Sequence, residues 1–178
     1  MAHVFHGDPA RLDRPRRHKI LPADALLKEI GLKRGNTVLD FGAGIGYFSI
    51  PALDLVGPTG KVIAIDLSNE MLDELHRRAG DRPNLILHQG TDLGIWTADI
   101  ILLIALLHEI DNPAAFLTNC FTHLNPNGRI IVIDWQKKQT IDGPPKHHRI
   151  DKNEILAMTN RPRREHPINR QFYFIEFR

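Results

Sequence analysis

The sequence is poor in cysteine and has no long apolar segment, and each shortage excludes a class of protein. Only one of its 178 residues is a cysteine, Cys120, which excludes an internal disulfide and a cysteine-based metal centre. The longest apolar run, residues 100–107, has eight residues, whereas a transmembrane helix needs roughly 20. The N-terminus contains no apolar signal core. We therefore expect a cytoplasmic protein that is neither exported nor inserted into a membrane.

The overall composition is that of a folded domain. Hydrophobic residues make up 42% of the chain, aromatic residues 7% and charged residues 25%. These values disfavour a disordered chain, a collagen-like chain and a coiled coil. The length leaves too little material for a second core of independent stability, so we expect one domain over residues 1–178.

The net charge of +2 hides an uneven distribution along the chain. Residues 1–20 carry +3, residues 21–135 carry −6 and residues 136–178 carry +5. Two interpretations of the basic ends stay open at this point. They are either solvated surface segments or segments that fold over a site and meet an acidic substrate.

Strand-like and helix-like segments alternate through the centre of the chain. The predicted strands cover 37–41, 61–66, 85–87, 100–104 and 129–135, and the predicted helices cover 23–30, 47–53 and 113–124, with another after Ser68. Such alternation predicts parallel strands joined by right-handed crossovers, with helices on both faces of one sheet.

The C-terminal part is less regular. Residues 136–148 are polar, contain the sequence Gly-Pro-Pro and predict a loop. Asp151 and Glu154 precede apolar residues in the pattern of a capped helix, and residues 172–177 predict a strand. A further strand, if it forms, has to fit between Arg163 and Ile168.

The first predicted strand leads into a glycine-rich turn, Gly42-Ala43-Gly44-Ile45-Gly46. Such a turn before a helix is expected to present backbone N–H groups to a ligand. A dinucleotide site would need a third glycine where Tyr47 stands. Asp40 precedes the turn, and its negative charge would oppose a pyrophosphate but attract the ammonium and sulfonium of S-adenosylmethionine.

Asp66 ends the second predicted strand, twenty residues after Gly46. A carboxylate at that place can accept hydrogen bonds from both hydroxyls of an adenosine ribose. The two acids together therefore predict an S-adenosylmethionine site.

At these residues the sequence resembles the class I S-adenosylmethionine-dependent methyltransferases of the small bacterial and archaeal type. The matching segments are TVLDFGAGIGYFS, KVIAIDLSNEML, ADIILLIALLHEI and LNPNGRIIVIDW, and the resemblance extends from about residue 11 to residue 145. It implies a Rossmann-like three-layer α/β sandwich. The sheet should have seven strands, mostly parallel, in the order 3-2-1-4-5-7-6 with an antiparallel last strand.

The resemblance also implies a set of cofactor-binding residues. Asp40 and the glycine turn would hold the methionine part, Asp66 the ribose, and the residues after the third strand the adenine. Because Gly90-Thr91-Asp92 carries one residue more than the family pattern, two residues, Thr91 and Asp92, are alternatives for the position facing the adenine. The full set is Asp40, Gly42, Ala43, Gly44, Gly46, Asp66, Leu67, Thr91, Asp92 and Ala105.

Histidines are the remaining candidates for chemistry. His108 follows the fourth predicted strand and is either a general base acting on the acceptor or a residue that packs locally. The pairs His3/His6 and His147/His148 lack a carboxylate or cysteine at fixed spacing. We therefore predict no metal site.

The function predicted from these residues is S-adenosylmethionine-dependent methyl transfer to a small-molecule acceptor. Residues 1–22 would act as a lid or cap whose arginines favour an anionic substrate, and residues 136–178 would form a variable, substrate-side part. A nucleic-acid or protein methyltransferase is one alternative. Nucleic acid is disfavoured because residues 105–108 read Ala-Leu-Leu-His, where enzymes that methylate base amino groups resemble Asp/Asn-Pro-Pro-Tyr. The other alternative is a non-catalytic domain that binds S-adenosylmethionine.

The charge argument at Asp40 is open to a direct test. We expect S-adenosylmethionine and its demethylated product to bind in the micromolar range, and NAD to bind much more weakly, because the Asp40 carboxylate opposes a pyrophosphate. Isothermal titration calorimetry measures all three affinities. An NAD affinity equal to that of S-adenosylmethionine would contradict the assignment.

Overall fold

A computed structural model describes residues 12–140 and 142–178 as an α/β sandwich. Its strands are β1 (Thr37–Phe41), β2 (Lys61–Asp66), β3 (Leu85–Gln89), β4 (Ala98–Ile104), β5 (Leu124–Trp135), β6 (Arg163–Glu165) and β7 (Phe172–Phe177). Its helices are α1 (Pro15–Ile20), α2 (Ala23–Glu29), α3 (Ser49–Val56), α4 (Asn69–Ala79), α5 (Pro113–Thr122) and α6 (Lys152–Ala157). No helix in these ranges is long and apolar enough to cross a membrane.

All seven strands belong to one sheet in the order β3-β2-β1-β4-β5-β7-β6. Strands β1 to β5 pair in parallel, and β7 is antiparallel to both β5 and β6. The predicted strand order is therefore confirmed, and so is the antiparallel orientation of the last strand in sequence, β7. The sixth strand forms within the window expected for it, but it has only three residues.

The sheet is buried on both faces because helices cover each of them. Side chains of α2 and α3 pack on one face, and those of α5 and α6 pack on the other. The central strands are accordingly apolar without alternation, as a parallel sheet requires. Val38, Leu39, Ile63 and Leu102 are each 0% exposed, and burial of each such side chain contributes about 1.5–3 kcal/mol.

The predicted helix starts are confirmed at the capping residues. The Ser68 hydroxyl accepts the Met71 N–H at 3.3 Å, and the Asn112 side-chain oxygen accepts the Ala115 N–H at 3.0 Å. Asp151 and Glu154 form the reciprocal capping box at the start of α6. Each cap is worth about 1 kcal/mol.

Some boundaries differ from the prediction. Helix α3 begins at Ser49 rather than at residue 47, because the preceding residues remain in the glycine turn. Strand β5 begins at Leu124, five residues early, because Leu124 pairs with Ala98 ahead of a register shift. Helix α1 was not predicted from the sequence.

The parallel strands all end at the same edge of the sheet. Their carboxyl ends lead into residues 42–46, 67–68, 90–91, 105–109, 136–140 and 142–144. Ligand sites of open α/β sheets lie at this edge, where the strand order reverses next to the first strand. The topology therefore gathers the predicted site residues from distant parts of the chain.

Candidate active site

A cavity of about 640 Å³ lies at this edge, within the size range of small-molecule sites. Helix α1 borders it on one side and residues 142–144 border it on another. The residues of the predicted set that line it are Gly42, Ala43, Gly44, Asp66, Leu67, Thr91, Ala105 and His108. Asp40, Gly46 and Asp92 are not part of its lining.

The glycine turn lies in close contact with neighbouring side chains and has no room for a side chain of its own at Gly42. Gly42 has φ +77°, and a Cβ added there would lie 2.7 Å from a methyl group of Leu106. The N–H groups of Gly42 and Ala43 donate to the Ile65 carbonyl oxygen at 2.8 and 3.0 Å. The Gly44 N–H donates to the Asp66 carboxylate at 2.7 Å. These donors are used within the protein, which corrects the expectation that the turn presents them to a ligand and further disfavours a pyrophosphate.

Asp66 is held by the backbone on either side of the cavity. Its Oδ2 accepts the Gly44 N–H, and its Oδ1 accepts the Ser68 N–H at 3.0 Å. Each carboxylate oxygen has two lone pairs, so one acceptor position on each oxygen remains for a ligand. Two adjacent hydroxyl groups are the donors that such a carboxylate suits.

Asp40 lies behind the turn and not on the cavity wall. It is 3% exposed, and its Oδ2 accepts a hydrogen bond from the Ser49 hydroxyl at 2.6 Å. Burial raises the pKa of this carboxyl to about 6, against the lowering effect of the Ser49 hydrogen bond. Any effect of Asp40 on a ligand is therefore electrostatic and not a direct contact.

Two further residues of the predicted set are turned away from the cavity by local packing. A Cβ at Gly46 would lie 2.7 Å from Leu75, so this glycine allows α4 to pack against the turn. The Asp92 carboxylate accepts the Gly94 N–H at 2.7 Å and closes its own turn. Of the two alternatives after β3, only Thr91 lines the cavity.

Arg17 of α1 is a candidate that the sequence indicated only as one of several arginines. Its guanidinium lies 4.7 Å from the centre of the Tyr47 ring, and it borders the cavity. Burial lowers its pKa, while Tyr47 and Asp40 oppose that effect. Its Nε is buried and has no hydrogen-bond partner among the described residues. A buried N–H without an acceptor marks a position for an anionic group.

The chain after β4 is strained where it enters the cavity. Ala105 has φ +53°, a left-handed conformation that is uncommon outside glycine. Its N–H donates to the Ile133 carbonyl oxygen at 2.7 Å, which stabilises this backbone conformation. A short 3₁₀ turn, Leu107–Glu109, follows directly and carries His108 to the cavity wall. Such strain costs about 1–3 kcal/mol and concentrates at functional sites.

His108 is fixed by Asp134 at the end of β5. Its Nδ1 lies 2.7 Å from Asp134 Oδ1, and its backbone N–H donates to Oδ2 at 3.3 Å. The Trp135 N–H also donates to Oδ1, at 2.7 Å. Because the carboxylate can only accept, Nδ1 carries the proton and Nε2 is the free, basic nitrogen. The sequence places Asp134 at the end of a strand but does not pair it with His108.

The surroundings of His108 keep it basic. Burial opposes protonation, but the hydrogen bond and charge of Asp134, together with the charge of Glu109, raise the pKa of His108 above its usual value. Glu109 Oε1 lies 3.7 Å from His108 Nε2. Burial, with the charges of Asp134 and Asp66, raises the pKa of Glu109 to about 7. The cavity thus holds two titratable groups whose pKa values are both raised, that of Glu109 to about 7.

The chain is similar to known proteins over most of its length. The family described as "Methyltransferase domain" matches residues 13–173. The ubiquinone/menaquinone biosynthesis C-methyltransferase UbiE of Salmonella arizonae is 30% identical over 149 residues. That match covers 77% of this chain and 59% of the Salmonella enzyme, so the chain corresponds to little more than half of that relative.

Solved structures share the fold. An S-adenosylmethionine-dependent methyltransferase from Aquifex aeolicus has a TM-score of 0.86 and 27% identity, over 96% of this chain and 98% of that one. DhpI, solved as a complex with S-adenosylhomocysteine, has a TM-score of 0.70 at 19% identity, over 92% of this chain and 86% of that one. The similarity to DhpI, at 19% identity, concerns the fold alone.

The buried Asp40 leads to a prediction about stability. A carboxyl whose pKa is raised from 3.8 to about 6 in the folded state destabilises the fold as the pH rises through that interval. We expect Asp40→Asn to stabilise the protein by about 1–3 kcal/mol at pH 7.5. The gain should disappear below pH 4, where Asp40 is protonated in both states.

Urea unfolding of wild type and variant at the two pH values measures this difference. Asp81→Asn is the matched control, because Asp81 is fully exposed, and it should change stability little at either pH. An Asp40→Asn gain that is equal at both pH values would contradict the explanation.

Proposed function

The chain belongs to the class I S-adenosylmethionine-dependent methyltransferases, and on that premise we propose that it transfers a methyl group from S-adenosylmethionine to a small-molecule acceptor. The observation that carries the proposal is that one cavity is lined by the glycine turn, by Asp66 and by His108, whose ring is held from behind by the buried Asp134. The first part suits the cofactor, and the second suits an acceptor that loses a proton.

The residues of the cofactor side fit S-adenosylmethionine. Asp66 would accept hydrogen bonds from the ribose hydroxyls, and the buried guanidinium of Arg17 would bind the carboxylate of the methionine part. The negative charge of Asp40 would favour the ammonium group through the protein. Leu67, which is 39% exposed at the cavity, and Thr91 would flank the adenine. When bound, the cofactor supplies an electrophilic methyl group on a positively charged sulfur.

His108 is proposed as the general base. Its Nε2 would accept the proton that the acceptor's hydroxyl or amino group loses as a lone pair of that group bonds to the methyl carbon. The bond between the methyl carbon and the sulfur would break in the same step, and its electron pair would stay on the sulfur of the leaving cofactor product. Asp134 would stabilise the imidazolium cation that results, because three hydrogen bonds hold its carboxylate beside Nδ1. Glu109, which is 30% exposed, would pass the proton on to solvent.

A small acceptor is supported by the cavity and by one relative. The name of the Salmonella enzyme assigns it to ubiquinone and menaquinone biosynthesis, where it is a C-methyltransferase. In this chain the cavity side next to His108 is lined by Ile110, Trp135, Pro144 and Phe172. We propose an acceptor with an apolar body, bound with its reacting atom at His108.

The N-terminal segment is proposed as a lid. Its described part supports this, because Leu12, Arg14, Arg17 and Ile20 line the cavity. Arg16 forms an ion pair with Asp142 across the opening, with 2.5 Å between Nε and Oδ2. An exposed pair of this kind contributes about 0–1 kcal/mol, so it can open readily for ligands.

Other expectations about this segment depend on residues that the structure covers only in part. Val4, Phe5 and the pair His3/His6 lie outside the described residues. An anionic group on the acceptor stays a prediction, and its support is that Arg14 borders the cavity without an ion pair among the described residues.

A cytoplasmic location likewise stays a prediction from the sequence.

The ribose assignment can be tested through affinity. We expect Asp66→Ala to weaken binding of S-adenosylhomocysteine by about 1–3 kcal/mol, the cost of losing a charged acceptor at a largely buried site. Calorimetry gives the dissociation constant, and the melting temperature shows whether the fold persists. Asp73→Ala, on the exposed face of α4, should leave the affinity unchanged. Unchanged affinity in Asp66→Ala would remove Asp66 from the ribose.

The function itself is tested with methyl-labelled S-adenosylmethionine and a panel of phenols, amines and carboxylic acids, with RNA, DNA and a protein mixture alongside. Label in a small molecule supports the proposal. Label only in a polymer would support the nucleic-acid or protein alternative. Cofactor binding without any transfer would support a non-catalytic domain.

The acceptor that is methylated most efficiently is then used to test whether His108 is the general base. We expect His108→Gln to lower kcat about 100-fold with a nearly unchanged affinity for the cofactor. In wild type, kcat/KM should rise with pH up to the pKa of His108. In Asp134→Asn that rise should move to lower pH, because the interactions that raise the pKa are gone. A fall in melting temperature with a merely proportionate loss of rate would show that His108 only packs locally.

A further inference from the structure

One wall of the cavity is formed by the long loop that follows β5. This wall loop, residues 136–140 and 142–149, follows β5 and contains only a short 3₁₀ turn, Lys146–His148. Gly143 and Pro144 of the loop border the cavity beside Trp135. Because this loop has almost no regular secondary structure, its backbone carbonyl and N–H groups need hydrogen-bond partners other than those of a helix or a sheet.

A single side chain at the end of the loop does this. Arg149 is 4% exposed. Its Nε donates to the Pro144 carbonyl oxygen at 2.9 Å, and its Nη1 donates to those of Gln136 and Lys138 at 3.1 and 2.9 Å. Its Nη2 donates to the Thr140 hydroxyl at 2.6 Å and to the Asp142 carbonyl oxygen at 3.0 Å. All five N–H groups of the guanidinium are therefore used within the loop.

The same guanidinium presses the loop against an aromatic pair. Its central carbon lies 5.2 Å from the centre of the Trp135 ring. A Cβ on Gly143 would lie 2.8 Å from that ring, so Gly143 sits directly against it. The Trp135 and Phe172 rings are 4.3 Å apart. Loop, Trp135 and Phe172 thus form one packed stack at the edge of the cavity.

We propose that Arg149 is a positioning residue that builds the acceptor side of the active site. It holds Gly143 and Pro144 at the cavity and keeps Trp135 in place next to Asp134, the partner of His108. Apart from Arg17 of α1, the cofactor side is formed by residues at or after the ends of β1, β2 and β3, and none of the five side-chain hydrogen bonds of Arg149 reaches these residues. The statement that this wall contacts the acceptor rests on the proposed function. The role of Arg149 in holding the loop does not.

Lysine cannot replace Arg149 in this role. A lysine ammonium has three donors on one nitrogen, whereas the loop presents five acceptors around a planar fork. Arg149→Lys keeps the charge and leaves at least two of these acceptors without their donor. We expect the wall to loosen while the cofactor side stays intact.

The experiment uses full-length protein in a Trp96→Phe background, so that Trp135 is the remaining tryptophan. For Arg149→Lys we expect acrylamide to quench Trp135 about threefold more strongly, and the affinity for S-adenosylhomocysteine to stay within about twofold. KM for the best acceptor should rise about tenfold, which is about 1.4 kcal/mol. KM for S-adenosylmethionine should stay nearly constant.

Arg129→Lys is the matched control, because Arg129 donates to the Ile30 carbonyl oxygen, away from the cavity. It should change neither Trp135 quenching nor acceptor KM. Equal losses of cofactor affinity and acceptor affinity in Arg149→Lys would show that Arg149 serves the fold as a whole and would overturn the proposal. Unchanged quenching would overturn it too. If wild type methylates no acceptor, the proposed function fails, whereas quenching and cofactor affinity still decide the role of Arg149.

Discussion

The hydrogen bonds accepted by the buried carboxylate of Asp134 are the interactions on which the acceptor side of this protein depends. They join the end of β5 to the turn after β4 by binding the backbone and the ring of His108 and the backbone of Trp135. A carboxylate that is 1% exposed is costly unless several donors surround it. Here the donors belong to His108, the proposed base, and to its neighbour Trp135. The hydrogen bonds that stabilise the buried charge therefore also fix the orientation of the His108 ring.

The cavity is surrounded by groups that cost stability. Asp40 has a pKa raised to about 6 by burial, and Ala105 has a left-handed backbone. Neither is needed to close the sheet, because most of the buried side chains of its central strands are apolar. A fold with this much buried apolar surface can tolerate both, and their concentration at one edge is the pattern expected of a site that binds a charged ligand.

Two arginines show the difference between a structural and a binding environment. Every N–H of Arg149 has an acceptor within the chain. Arg17, at the opposite side of the same cavity, has a buried Nε without an acceptor among the described residues. Buried donors are almost always paired, and under the proposed function the carboxylate of the cofactor would be the acceptor that Arg17 lacks.

The sequence by itself determined the order of strands and helices, the glycine turn, the acid at the end of β2 and the helix caps, because these are local patterns of period, capping and chain reversal. It also indicated the family, whose implied strand order is confirmed. Only the tertiary structure decided which candidates share the cavity. Asp92 and Gly46 satisfy local turns and packing instead, and the turn donors are used internally. The pairing of His108 with Asp134 joins residues 26 positions apart. The five acceptors that bind Arg149 are irregularly spaced along their loop. Neither arrangement therefore leaves a periodic pattern in the sequence from which it could have been predicted.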